Sequence, residues 1–149
     1  MKTIHTKAKH TEWLNAEDMH AASKIWLSEL SFFKDEQLFL EDLIKSHTLQ
    51  LIDKNHFDRS KDIVDRLSDV VKQTEVLFDA VSKHENELSI MVDGIDEIEK
   101  EANYKKEHRN LIELIGEFKQ RYQKIKAELF DMVKEVIKES KQNRLIDKE

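Results

Sequence analysis

Residues 59–101 read RSKDIVDRLSDVVKQTEVLFDAVSKHENELSIMVDGIDEIEKE. Ile63, Leu67, Val70, Thr74, Leu77, Val81, His84, Leu88 and Met91 alternate by three and four along this stretch. Such spacing places every one of them on a single stripe of an α-helix, and no β-strand period of two fits it. Val64, Val71, Phe78 and Val92 widen the stripe. Two members are polar, Thr74 and His84. The stretch therefore predicts a helix over about 58–92 and asks what two polar residues do inside its seam.

The same period continues on both sides. Upstream, Met19, Ala22, Trp26, Leu30, Phe33, Gln37, Leu40, Ile44, His47 and Leu51 step by three or four, predicting a helix over about 16–53. Asn15 is placed to cap it, and Leu14 to staple against Met19. Downstream, Tyr104, His108, Leu111, Ile115, Phe118, Tyr122, Ile125, Leu129, Met132 and Val136 predict a helix over about 97–140.

The segment DKNHFDRS, 53–60, holds the first connection, because Asp, Asn and Ser side chains compete for backbone groups. Gly94 after Asp93 suits a C-terminal cap, and a second turn falls near 93–96. Ile95, Ile98 and Ala102 keep the phase of the preceding helix, which leaves a turn near 103 as the alternative.

Composition agrees with this class. The 149 residues are 38% charged and 39% hydrophobic, with two glycines and no proline. A chain so poor in turn formers does not build a β-rich fold. The expected architecture is all-α: an elongated antiparallel three-helix bundle with coiled-coil-like, knobs-into-holes packing. Residues 1–14 and 142–149 are expected to fray around one helical-bundle domain at 15–141. In outline this arrangement resembles spectrin-type repeats, a likeness of architecture that no motif residues carry.

Several functions are excluded or disfavoured. There is no cysteine, so thiolate zinc sites and cysteine nucleophiles are impossible. No phosphate-binding glycine loop, nucleophile elbow or zinc-protease motif occurs, and no enzyme activity or cofactor is expected. A net charge of −6 disfavours nucleic acid as a partner. No apolar run approaches the ~20 residues of a membrane span, and no secretory signal opens the chain, so the expected location is the cytoplasm.

What remains is a short set of candidate sites. With turns near 55 and 96, His84 and His108 fall at one height, with Trp26 beside them and Glu29 one turn away. One reading is a polar layer in which the two histidines hydrogen-bond and help set register. The alternative is a metal site using His84, His108 and Glu29. The single Glu17/His20 spacing reads as a solvated helix end, too little for a carboxylate-bridged di-iron site.

Glu29 and Glu36 interrupt a second apolar row formed by Ile25, Phe32, Phe39 and Leu43, which marks them as edge residues reaching solvent. The first helix is rich in aromatic residues, and Trp26, Phe32 and Phe39 are the candidates for contact with a protein partner or a second copy. The function expected is that of a non-enzymatic interaction, adaptor or structural module, with a metal-binding bundle as the alternative.

Overall fold

A computed structural model of the chain describes residues 15–93 and 98–147, without the side chains of 92, 93, 98, 99 and 147. Among the described residues every regular element is helical: α1 (Ala16–Ser46), α2 (Thr48–Leu51), α3 (Phe57–Asp93) and α4 (Ile98–Asp147). The helices pack against one another, as the stripes require. Leu14 and Gly94, with the greater part of the turn expected near 93–96, lie outside the described residues. Residue 103, the alternative position for the second turn, sits inside α4.

The N-terminal cap forms as its residue type predicts. The Asn15 side-chain oxygen accepts from the Asp18 amide at 2.8 Å, satisfying a donor the helix itself cannot. Glu17 and Asp18 in the first turn suit the dipole.

The first helix is shorter than its periodicity implies. It ends at Ser46, and four residues of helix follow a break at His47. Three consecutive polar side chains turn back on the preceding turn. Ser46 Oγ donates to the Asp42 carbonyl at 2.9 Å and His47 Nδ1 to that of Leu43 at 2.9 Å. Thr48 Oγ1 donates to those of Ile44 and Lys45 at 3.1 and 3.0 Å. These bonds compete with the helical ladder, and the His47 amide turns to Ile44, three residues back. An apolar pattern does not register such competition. At the other end of the chain, α4 runs on to Asp147, past the point where the apolar period stops at Val136.

The chain forms two compact units. Unit 1 comprises residues up to Phe32 together with Thr74–Glu117, and unit 2 comprises Phe33–Gln73 with Phe118–Glu149. In unit 1, Met19 of α1 and Leu88 of α3 are completely buried and pack with Tyr104 of α4. In unit 2, contacts fix the helix directions. His56, just ahead of α3, and Arg59, Arg66 and Gln73 within it meet Glu139, Glu135, Glu128 and Arg121 of α4 in that order, so these helices run antiparallel. Phe33 of α1 meets Phe118, and Glu36 meets Tyr122 and Lys126, so α1 and α4 run parallel there.

The seams are those the spacing selects. All nine α3 residues from Ile63 to Met91 named above are buried. So are the α4 residues from His108 to Val136, with Tyr104 half-buried. The α1 stripe is less regular: Trp26, Phe33 and Ile44 are half-buried, while Ser23, off the apolar pattern, is fully buried. Its hydroxyl donates to the Met19 carbonyl at 2.8 Å, so a small polar side chain enters the core with its bond already made.

Candidate functional site

The polar positions of the α3 seam lead to unit 1. His84 and His108 are buried, and the structure brings them together. His84 Nε2 lies 3.0 Å from His108 Nδ1, and His84 Nδ1 lies 2.8 Å from a carboxylate oxygen of Glu107. An ionised carboxylate only accepts, so His84 Nδ1 carries a proton. In the neutral ring Nε2 then holds a lone pair and accepts from His108 Nδ1–H. Carboxylate, imidazole and imidazole form one directional chain from the solvent edge into the core.

Trp26 of α1 closes the layer by stacking on the His108 ring, with centroids 4.7 Å apart and planes 26° apart. It is therefore half-buried against the histidine pair rather than part of an outward face. Burial holds the His108 imidazole well below its ordinary range, down to about 4, and the neighbouring His84 adds to the shift. His108 is neutral at pH 7.

Beside this pair, His20 of α1 reaches across to α3, donating from Nε2 to Glu85 at 2.8 Å with both side chains largely buried. The sequence places His20 at a solvated helix end, and the correction is one of position. On α3, Glu85 follows His84 directly, so burying His84 in the seam turns Glu85 about 100° aside, toward α1.

Glu29 is half-buried, and the carboxylate that meets His84 belongs to Glu107. No three His, Asp or Glu side chains among the described residues are arranged to hold a metal ion. Both ring nitrogens of His84 are engaged in hydrogen bonds. Thr74, the other polar seam residue, is fully buried, and no buried side-chain nitrogen or oxygen among the described residues lacks a hydrogen-bond partner.

Unit 2 has a polar centre of different chemistry. Phe33, Phe118 and Tyr122 form an aromatic cluster, with Phe33 edge-on to Tyr122 at 5.3 Å and 75°. The Tyr122 hydroxyl donates to Glu36 at 2.8 Å, and Lys126 donates to the same oxygen at 3.0 Å. Burial, reinforced by Glu36, pushes the phenol far above its usual range. Glu36 is thus paired across the interface rather than reaching solvent. Its i, i+3 relation to Phe33 was the available signal, since the half-buried Phe33, packed on Phe118 and Tyr122, points Glu36 along the same interface with α4.

Near the first connection, buried His56 donates to Glu139 at 2.8 Å. Arg66 pairs with Glu128, which holds that carboxyl below the usual range.

The outer face of α1 carries the remaining candidates. Ile25, Phe32 and Phe39 are 61%, 60% and 58% exposed. They recur every seven residues, on one line of the helix. Ser28, Asp35 and Asp42 stand three residues after each, all exposed.

Comparison with known proteins finds no matching family model, no matching curated protein and no matching solved structure. Among the described residues, no helix is long and apolar enough to cross a membrane.

Proposed function

We propose that this protein is a non-enzymatic interaction module of the cytoplasm that binds an amphipathic helix of another protein along the outer face of α1. The observation that carries the reading is the exposure of Ile25, Phe32 and Phe39 at heptad spacing. Large apolar side chains in a row favour a partner, because each gains about 1.5–3 kcal/mol when fully buried. The spacing is that of a coiled-coil seam, where every seventh residue meets the facing helix.

The chemistry of the line indicates the partner. Asp35 and Asp42 follow Phe32 and Phe39 by one turn, so the facing helix would carry apolar residues every seventh position with Lys or Arg between them. Pairing two copies of α1 about Phe32 instead sets Asp35 against Asp35 when parallel, or against Glu29 when antiparallel. Like charges at those positions oppose self-association.

The test uses a triple exchange of Ile25, Phe32 and Phe39 to Ser. Circular dichroism and thermal unfolding should match the unaltered protein, since these side chains lie outside the core. A partner recovered from native lysate with the unaltered protein, and bound by it in purified form, should lose affinity for the variant by at least ~100-fold. A partner bound equally by both proteins overturns the reading.

A further inference from the structure

We propose that the buried His84–His108 pair is an acid latch for unit 1, able to hold one proton but not two, so that acid loosens this unit ahead of unit 2. The argument starts from the proton inventory of the chain Glu107–His84–His108. In its neutral form one proton lies on His84 Nδ1, facing the Glu107 carboxylate, and one on His108 Nδ1, facing His84 Nε2. Each bond has one donor and one acceptor.

A first added proton can be taken without breaking either contact. His84 becomes an imidazolium that donates from Nδ1 to Glu107 and from Nε2 to His108. His108 then adopts its other tautomer, with its own proton on Nε2 and a lone pair on Nδ1. A second proton has no such place. It puts N–H against N–H across a 3.0 Å gap, and sets two like charges side by side in a buried layer.

The groups around the pair do not remove that conflict. From α1 come half-buried Glu29 and His20, the latter bound to Glu85. From α3 come Glu85 and half-buried Glu87, and from α4 come Tyr104, Lys105 and Glu107. Glu107 is the carboxylate hydrogen-bonded to the pair.

The sign follows from linkage. The folded state holds His108 down to about 4, while the unfolded chain leaves it near its ordinary 6.5. The unfolded state therefore binds the extra proton first. The stabilisation is present above pH 6.5 and is lost as pH falls towards 4.

Hydrogen-exchange protection of backbone amides, followed between pH 7 and 4, reads the two units separately. The opening equilibrium of α3 and α4 amides in unit 1 should rise by about 100-fold between pH 6.5 and 4. Amides of unit 2 should change less. His108→Asn keeps a donor where Nδ1 stands but cannot take the second proton, and should cut the rise in unit 1 to under ~10-fold. An equal rise in the variant, or an equal rise in both units, overturns the latch. Should His108→Asn fail to fold, NMR titration of the imidazoles in the unaltered protein decides. A His108 ring titrating about two pH units below its ordinary value supports the proposal, and one titrating near 6.5 in the folded protein sinks it.

Discussion

Unit 1 and unit 2 are built from consecutive stretches of the same helices, yet the polar centres beside their aromatic rings hold opposite kinds of titratable group. Unit 2 keeps its buried histidine, His56, apart at the first connection and paired with Glu139. Unit 1 encloses an imidazole pair, and burial pushes His108 down towards the neutral form. Unit 2 encloses a phenol, and burial pushes Tyr122 up, also towards the neutral form. The same physical cause acts in both, because low dielectric penalises whichever form carries charge. The consequences differ. A phenol gains nothing from added protons and stays neutral in acid, whereas an imidazole becomes a cation. Similar helical frameworks are thus indifferent to acid at one polar centre and sensitive to it at the other.

The largest expected effect tests whether unit 2 depends on its aromatic cluster as the contacts indicate. Phe118→Ala removes a fully buried ring that touches Phe33 and Tyr122, and should lower stability by about 3–5 kcal/mol in chemical denaturation. A loss under ~1 kcal/mol would mean that the cluster contributes little and that the contrast between the units rests on something else. Tyr122→Phe is the sharper variant. It keeps the ring and removes the hydroxyl's hydrogen bonds to Glu36, which retains Lys126, and to the buried side chain of Gln37. It should lower stability by about 1–3 kcal/mol, with no new dependence on acid between pH 7 and 4. A new acid dependence would show that the phenol hydroxyl is what keeps this centre indifferent to acid, and would erase the distinction from unit 1.

The smallest effect concerns unit 1 away from its histidines. Gly116 lies in the interior of α4, and a Cβ added there meets nothing within 4 Å. Gly116→Ala should therefore raise the midpoint of chemical denaturation, with a gain of about 0.5–1 kcal/mol. Because the change adds helix propensity without touching the pair, the acid response of unit 1 should keep its shape at a higher baseline. A destabilised variant would show that the open face at Gly116 is used for close approach.

Much of the fold was legible in the sequence, but unevenly. The α3 seam from Ile63 to Met91 reads from spacing alone, since every position on one stripe is buried and the interruptions at Thr74 and His84 are buried with it. The height of His84 against His108 also followed, because an antiparallel turn fixes which residues share a level. Glu107 did not. It is the sequence neighbour of His108, and any helix that buries His108 turns Glu107 to the edge of the core, so the signal existed. Glu29 nevertheless satisfied the same arithmetic from another helix. The break at His47 escaped for a different reason: side-chain bonds to the backbone leave the apolar period unchanged while ending the helix.

By itself, the sequence determined which face of each long helix is buried, because a period of 3.6 assigns every side chain an angle about its own axis. It determined the helical class as well, since a chain so poor in glycine and proline lacks the turns that sheets require. Only the tertiary structure decided which polar groups meet: Glu107 with His84, His20 with Glu85, and Tyr122 and Lys126 with Glu36. Periodicity sets direction within a helix and leaves the rotation and axial offset between helices undetermined. A long polar side chain at a seam edge reaches several partners within that freedom, and side-chain packing selects one.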